Sequence, residues 1–139
     1  MNLFDSARAE IVALHRFFVE WYDEATADGA DFNRFERAMG QDMHMIPPSG
    51  AVLGRDAVIG HVRAHRAAFR GDFSIEIAGI RRLWEADGAV LVTYVEKQAR
   101  VGEKTTRRAT ALFLENPSAP HGVEWRHLHE TWMQAGSDE

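Results

Sequence analysis

The sequence contains no cysteine, which excludes disulfide bonds, thiolate catalysis and zinc sites built on cysteine. It also lacks any apolar run approaching the roughly 20 residues that a membrane-spanning helix needs. The first residues show no basic region followed by an apolar stretch, which is the pattern of a signal peptide. We therefore expect a cytoplasmic protein without a membrane partner.

Positive charge is scarce as well. Lys and Arg number 16 against 21 Asp and Glu, which gives a net charge of −5. The arginines are scattered, with Arg81-Arg82 and Arg107-Arg108 only as pairs, whereas a domain that binds phosphates is usually basic. Nucleic acid is therefore not an expected partner. The length of 139 residues and the apolar share of 45% suit a single domain over residues 1–139, with a polar tail at 135–139.

The first half of the chain shows helical periodicity. Ile11, Leu14 and Phe18 recur at three- and four-residue spacing, and Asp5 and Asp31 precede such stretches as N-caps. The pattern predicts three helices, at residues 5–27, 31–38 and 56–71, and a short hairpin of strands 43–46 and 51–53 before the third helix.

From residue 72 onward the period changes to the alternation of strands. Asp87-Gly88 is a strong hairpin signal, Gly102 marks another turn, and Gly79 shifts the phase as a β-bulge would. The pattern predicts four long strands, at residues 72–86, 89–99, 105–114 and 123–133. The predicted fold class is α+β, with element order α-α-β-β-α-β-β-β-β and a curved antiparallel sheet closing over the helices around a pocket.

Three segments carry a resemblance to a known superfamily. They are Gly-Arg-Asp-Ala-Val-Ile at 54–59, Arg-Arg-Ala-Thr-Ala-Leu-Phe at 107–113 and Trp-Arg-His-Leu-His-Glu-Thr-Trp at 125–132. With the element order, they make the chain resemble the nuclear transport factor 2-like superfamily. Within it the nearest match looks like the SnoaL-like group and the association domain of calcium/calmodulin-dependent protein kinase.

The resemblance implies a cone-shaped, half-open barrel lined by the first helices, and commonly a homodimer formed through the outer face of the sheet. It does not imply one activity, because members include isomerases, dehydratases, cyclases, epoxide hydrolases, ligand binders and assembly modules. The isomerases' Tyr/Asp/Asp set and the epoxide hydrolases' Asp–Arg–Asp set are not found at recognisable positions.

His127 and His129 are the most suggestive local pair. Residues two apart on a strand share a face with side chains roughly 6–7 Å apart, a spacing that suits one ligand. The pair could hold a metal only if His44 or a carboxylate supplied a third ligand; we expect hydrogen-bonded histidines and neither metal nor cofactor.

A second histidine pair, His61 and His65, is spaced i, i+4 on the third predicted helix. Val62 stands where the His-Glu-x-x-His zinc motif requires Glu. We therefore expect His65, which lies in the apolar stripe, to be a core histidine.

General acid–base chemistry needs a titratable side chain in an apolar setting. The strands offer Asp42, His44, Tyr94, Glu96, His127, His129 and Glu130. From these we predict that His44, Tyr94, His127 and His129 act as base or hydrogen-bond donor.

The alternation of side chains along the last predicted strand indicates which of its two faces lines the pocket. Trp125, His127, His129 and Thr131 form one face and carry no formal charge with neutral histidine, so burying them costs less than burying the alternate face. We predict that this face lines the pocket and that Arg126, Glu130 and Trp132 point outward.

Aromatic residues would form the ligand cavity, namely Phe17, Trp21, Tyr22 and Trp125. Arg107 or Arg108 would clamp a ligand carboxylate, and of the two we predict Arg108.

Two functions follow from these expectations. The first is a pocket protein for a small apolar molecule, with a cofactor-independent isomerase, dehydratase or cyclase acting on a carbonyl compound as its catalytic form. Whether the protein is an enzyme stays open at this point. The alternative is a non-catalytic dimerisation or association module.

Overall fold

The computed structural model describes residues 2–134. The predicted α+β class and element order are confirmed. In order, the elements are α1 (Leu3–Tyr22), a 3-10 turn (Ala27–Gly29), α2 (Phe32–Ala38), β1 (Met39–Ile46), β2 (Leu53–Gly54), α3 (Arg55–Ala64), β3 (Ser74–Ala86), β4 (Ala89–Arg100), β5 (Glu103–Glu115) and β6 (Val123–Trp132). Among these residues no helix is long and apolar enough to cross a membrane. The predicted tail at 135–139 lies outside the described residues.

The six strands form one open sheet in the order β2-β1-β6-β5-β4-β3. The last four strands are an antiparallel meander, as predicted. One pair differs from the expected antiparallel sheet, because β1 runs parallel to β6, with His44 opposite His127. The chain between these two strands is long enough for the crossover that parallel pairing requires.

The sheet curves around α1. The register of β3 against β4 shifts between Ala78 and Arg81 and again between Arg82 and Trp84. Gly79 has a φ of 62° at the first shift, where the sequence predicts a bulge, and such extra residues bend a strand and increase its twist. The concave side thereby wraps the apolar face of α1, where Ile11, Leu14 and Phe17 are buried.

Helix α1 begins earlier and ends earlier than predicted. Its N-cap is Asn2, whose side-chain Oδ1 accepts a hydrogen bond from the Asp5 backbone N at 2.8 Å. The cap predicted for α2 is confirmed, since the Asp31 side chain accepts hydrogen bonds from the backbone N of Asn33 and Arg34.

Helix α3 ends at Ala64 rather than at residue 71. The following segment turns away, with Ala67 at a φ of 58°, and pairs with the end of α1. The Ala67 and Phe69 backbone N atoms donate to the carbonyls of Trp21 at 2.9 Å and Tyr22 at 2.7 Å. These bonds satisfy terminal carbonyls of α1, which a continued α3 would leave without partners. His65 is consequently exposed, and the expected core role is wrong.

Strand β1 starts directly after α2, four residues earlier than predicted, so Gly40 lies in the strand rather than ending the helix. A Cβ at Gly40 would stand 2.9 Å from the Trp125 carbonyl oxygen and 2.1 Å from Glu124 Oε2. The absence of a side chain at Gly40 thus allows β1 to approach β6 closely.

We predict that Gly40→Ala lowers the free energy of unfolding by about 1–3 kcal/mol, because the added methyl group overlaps backbone of β6. Gly60→Ala is the matched control: nothing lies within 4 Å of a Cβ there, and alanine in a helix interior should raise stability by about 0.5–1 kcal/mol. Urea unfolding of both variants measures the difference. Equal effects of the two substitutions would contradict the close approach at Gly40.

Candidate functional site

A cavity of about 380 Å³ lies between the helices and the concave face of the sheet. Most of its lining is apolar and includes Leu14, Phe18, Phe35, Met43, Val58 and Val62. The volume falls in the range of small-molecule sites, which typically combine an apolar lining with a few polar groups.

Much of the polar lining comes from α1 and three adjacent strands: His15 on α1, Tyr94, Glu96 and Gln98 on β4, Arg107 on β5 and Glu130 on β6. Strand pairing explains why they meet. Glu96 lies opposite Arg107, and Tyr94 and Glu130 both lie opposite Ala109 on its two sides. These residues therefore share the concave face of three neighbouring strands.

His15 and Glu96 form a buried pair in which His15 Nε2 lies 3.1 Å from Glu96 Oε1. The other ring nitrogen of His15 lies 2.7 Å from the Ile11 carbonyl oxygen. Burial lowers the pKa of His15, but the charge and hydrogen bond of Glu96 outweigh burial and raise the pKa above its usual value of 6.5. An imidazolium that donates from both nitrogens fits this environment.

The carboxylate of Glu96 is held in its ionised form. Burial raises the pKa of Glu96, yet His15, Arg107 and Gln98 together lower it to about 2. Gln98 Nε2 donates to Glu96 Oε2 at 2.6 Å, which satisfies the second carboxylate oxygen. Both oxygens of Glu96 are therefore already engaged.

Glu130 behaves in the opposite way. It forms an ion pair with Arg107, whose Nη1 lies 3.3 Å from Glu130 Oε1. Burial and the neighbouring charge of Glu96 raise the pKa of Glu130 above 4.5, against the opposing effect of Arg107. Trp132 covers the guanidinium of Arg107, with its ring centroid 4.7 Å from the Cζ atom. A buried carboxyl group with a raised pKa is a candidate for proton transfer to or from a ligand.

Two buried polar atoms of the cavity residues lack a partner in the described part of the chain: the Tyr94 hydroxyl and Arg107 Nε. Burial, followed by the negative charges of Glu96 and Glu130, raises the pKa of Tyr94 well above 10. The hydroxyl therefore keeps its proton. A buried donor without an acceptor is unusual in a folded protein, and both atoms belong to residues of the cavity lining.

A second buried network lies behind the cavity wall. The Glu10 carboxylate accepts hydrogen bonds from Trp125 Nε1 at 2.8 Å, Arg34 Nη2 at 2.5 Å and His121 Nδ1 at 3.1 Å. Glu10 is fully buried. Since Trp125 itself lines the cavity, this network orients one wall of the site.

Three of the predicted site residues, Tyr22, Tyr94 and Trp125, line the cavity together. Their roles toward a ligand stay predictions.

The structure does not place His44, His127 or His129 in the cavity lining. Along β6, Phe113 of β5 lies opposite Trp125 while the adjacent Leu112 lies opposite His127, which leaves Arg126 as an extra residue. This bulge reverses the parity of the strand. The expected pocket face is therefore right at Trp125 and wrong beyond it, where Leu128 and Glu130 point into the cavity.

The histidines instead cluster on the outer face, where His127 and His129 ring centroids lie 6.4 Å apart. Burial, then the nearby His129, His44 and Arg126, lower the pKa of His127. Across residues 2–134 no group of three or more His, Cys, Asp or Glu side chains could hold a metal ion.

The remaining predicted ligand residues lie outside the lining. Phe17 stacks on Phe35 in the core with a centroid distance of 5.6 Å, and Trp21 Nε1 donates to the Val62 carbonyl at 2.7 Å. Arg108 alternates with Arg107 and so faces outward. Of the two arginines, Arg107 is the one in the cavity.

The sequence alone does not single out His15, Glu96, Glu130 or Glu10 as site residues, although Glu96 and Glu130 are among its titratable strand residues. Glu96 follows Val90, Val92 and Tyr94 at two-residue spacing on one strand face, so a carboxylate ending an apolar row was a usable signal. His15 and Glu10 carry a weaker signal, because they adjoin the apolar stripe of α1.

No family model matches the sequence, and no curated protein matches it. Solved structures do resemble it. An NTF-2-like protein of unknown function from Pseudomonas aeruginosa is 24% identical with a TM-score of 0.83, over 93% of this chain and 99% of that one. A candidate calcium/calmodulin-dependent kinase II association domain from Exiguobacterium sibiricum is 11% identical with a TM-score of 0.64, over 94% and 93% of the two chains.

A candidate ketosteroid isomerase from Parabacteroides distasonis is also similar, at 11% identity and a TM-score of 0.61, over 91% of this chain and 88% of that one. These likenesses establish the fold, which is NTF2-like, as the resemblance in the sequence implies. At such identities they carry no activity over to this chain.

We predict that Glu96→Gln lowers the free energy of unfolding by about 3 kcal/mol, because it leaves the buried His15 without its counter-ion. The contribution of Glu96, whose pKa is depressed, is present above about pH 4.5 and is lost as the pH falls toward 2. The contribution of His15, whose pKa is raised, is present below about pH 6.5 and is lost as the pH rises through the folded pKa.

The difference between wild type and Glu96→Gln should therefore be largest between about pH 4.5 and 6.5. Urea unfolding at several pH values checks this, with the exposed Glu76→Gln as control. A difference that keeps growing at alkaline pH would contradict the ion pair.

Proposed function

We propose that the protein is a cofactor-independent acid–base enzyme that isomerises, dehydrates or cyclises an apolar carbonyl compound. Glu130 carries the proton, and Tyr94 donates a hydrogen bond to the carbonyl oxygen. One observation carries the proposal: a buried carboxyl group with a raised pKa faces an apolar cavity beside a tyrosine hydroxyl that has no hydrogen-bond partner within residues 2–134.

The spacing of the two groups supports this assignment. Tyr94 and Glu130 lie on either side of Ala109 in the sheet, so their Cα atoms are about 10 Å apart, two strand spacings. Ala109 contributes only a methyl group between them. The gap above it can admit the reacting end of a ligand, with its apolar body among Leu14, Phe18 and the other wall residues.

In the proposed reaction, the Glu130 carboxylate removes a proton from the carbon next to the carbonyl. The electron pair of that C–H bond forms the enolate, whose oxygen accepts the hydrogen bond from Tyr94. Glu130 then returns the proton to another carbon or to a leaving oxygen. His15 and Glu96 keep their charges, because they neutralise each other.

We predict that the protein catalyses exchange of α-protons of apolar cyclic ketones for deuterium, which NMR in D₂O measures without knowledge of the product. Glu130→Gln should lower the exchange rate by about 10²- to 10⁴-fold because it removes the base. Tyr94→Phe should lower it by about 10²-fold because it removes the donor to the enolate.

Glu76→Gln, an exposed carboxylate on β3, is the matched control and should leave the exchange rate unchanged. Exchange that is equal in wild type and Glu130→Gln, with both proteins folded, would refute the assignment of Glu130.

A second candidate function is self-association through the outer face of the sheet. The solved structures that share this fold include a candidate association domain, and the half-buried side chains at the centre of the outer face are uncharged, among them Leu91, Thr110 and Leu112. Glu130 does not contribute to that face, contrary to the expectation from parity. A homodimer through it is compatible with catalysis in each cavity.

We predict a dimer by light scattering at micromolar concentration, and a monomer for Thr110→Arg, which places a charge at the centre of the outer face. Ser74→Arg, at the exposed start of β3, should stay dimeric. A monomeric wild type would remove this proposal.

A further inference from the structure

The unsatisfied polar atoms of the cavity are all on donor groups. Of the three buried side-chain atoms without a partner in the described part of the chain, Tyr94 Oη and Arg107 Nε belong to the cavity lining. A guanidinium nitrogen can only donate, and a tyrosine hydroxyl carries one proton to donate. A ligand that completes these hydrogen bonds must therefore bring acceptor oxygens.

The charges of the cavity are unequally paired. His15 uses both nitrogens, and Glu96 uses both oxygens, at distances between 2.6 and 3.1 Å. Arg107 and Glu130, by contrast, share a single bond of 3.3 Å. A guanidinium usually holds a carboxylate through two parallel bonds, so Arg107 is the cation of the cavity with the weakest counter-ion.

We propose that the cavity binds an apolar ligand through a delocalised oxyanion, a carboxylate or an enolate, which contacts Arg107 and Tyr94 while Glu130 takes up a proton. The inference deepens the proposed function by naming the charge state of the ligand. It requires binding only and does not require that Glu130 catalyse a reaction.

Proton uptake follows from the neighbours of Glu130. The titratable groups that line the same cavity are His15 and Tyr22 on α1, His61 and His65 on α3, Tyr94 and Glu96 on β4 and Arg107 on β5. The charge of Glu96 already raises the pKa of Glu130, and only Arg107 and His15 oppose it. A second anion beside Glu130 acts in the same direction as Glu96 and also competes for Arg107, so it raises that pKa further.

The sign of the pH dependence follows from linkage. Glu130 is more protonated in the complex than in the free protein, so binding absorbs a proton and weakens as the pH rises. Above the pKa of Glu130 in the free protein, the affinity should fall by up to about tenfold per pH unit. A carboxylate ligand that bound without proton uptake by Glu130 would show no loss of affinity over this pH range.

The chemical probe is phenylbutanoate, compared with its uncharged primary amide. A phenyl-substituted cyclohexanedione, which is an enolate near neutral pH, tests whether the oxyanion can be an enolate rather than a carboxylate. Isothermal titration calorimetry in phosphate and in Tris, two buffers with different heats of ionisation, measures the number of protons absorbed on binding.

We expect one or both anions to bind, with proton uptake between zero and one that is largest between the pKa of Glu130 in the free protein and its higher pKa in the complex, and the amide to bind at least about tenfold more weakly. Glu130→Gln mimics the protonated side chain. It should bind the same anion at least as tightly as wild type, with the pH dependence abolished.

Arg107→Gln should weaken binding of the anion by about 10- to 100-fold, the loss expected for a charge-assisted hydrogen bond. Tyr94→Phe, which keeps the ring, should weaken it by less and remains informative if Arg107→Gln fails to fold. Near-UV circular dichroism establishes that each variant is folded before titration.

Equal affinity for the amide and the acid, binding without proton uptake, or an unchanged pH dependence in Glu130→Gln would each overturn the inference. Failure of the proposed function is recognised separately. Anion binding with proton uptake but no α-proton exchange refutes catalysis alone, whereas exchange on neutral ketones without anion binding refutes the inference alone.

Discussion

Burial of charge within an otherwise apolar cone is the constraint on which the rest of this structure depends. The buried His15, Glu96, Arg107 and Glu130 are among the side chains that line the cavity, and leaving a buried charge without compensation would cost several kcal/mol. The fold meets this constraint by placing opposite charges next to each other. Glu96 lies opposite Arg107 on the neighbouring strand, and α1 brings His15 against Glu96. The same charged residues thus constrain both the register of β4 against β5 and the position of α1 on the sheet.

The buried charges are not equally well paired, and this difference is what makes proton transfer at the site possible. His15 and Glu96 are fully satisfied and keep their charges, whereas Glu130 holds one long bond and has a raised pKa. The carboxyl groups of Glu96 and Glu130, which share one face of the sheet, therefore have pKa values shifted in opposite directions. Such a difference in pKa allows one site to hold both a fixed negative charge and a proton that can be transferred.

A local irregularity decides which side chains enter this environment. The bulge at Arg126 sends His127 and His129 to the outer face and brings Leu128 and Glu130 inside. Behind the same strand, Glu10 holds Trp125 through the indole nitrogen and joins it to α2 through Arg34. The cavity wall at Trp125 is therefore anchored by a second buried carboxylate, independent of the one that faces the ligand space.

The sequence by itself determined the α+β class, the order of elements, the turns at Asp87-Gly88 and Gly102 and the bulge at Gly79, because periodicity and turn chemistry are local properties. It also identified Tyr22, Tyr94 and Trp125, which the structure places in the cavity lining. Only the tertiary structure decided the parallel pairing of β1 with β6 and the parity of β6 beyond Trp125. The extra residue Arg126 reverses which side chains of β6 face the cavity. The sequence pattern of the strand does not show this, because the alternation of residue types is unchanged. The cost of burying a charge argued against Glu130 in isolation. In the structure this cost is offset by partners distant in the chain, which for Glu96 include a residue 81 positions away, and no local pattern could reveal them.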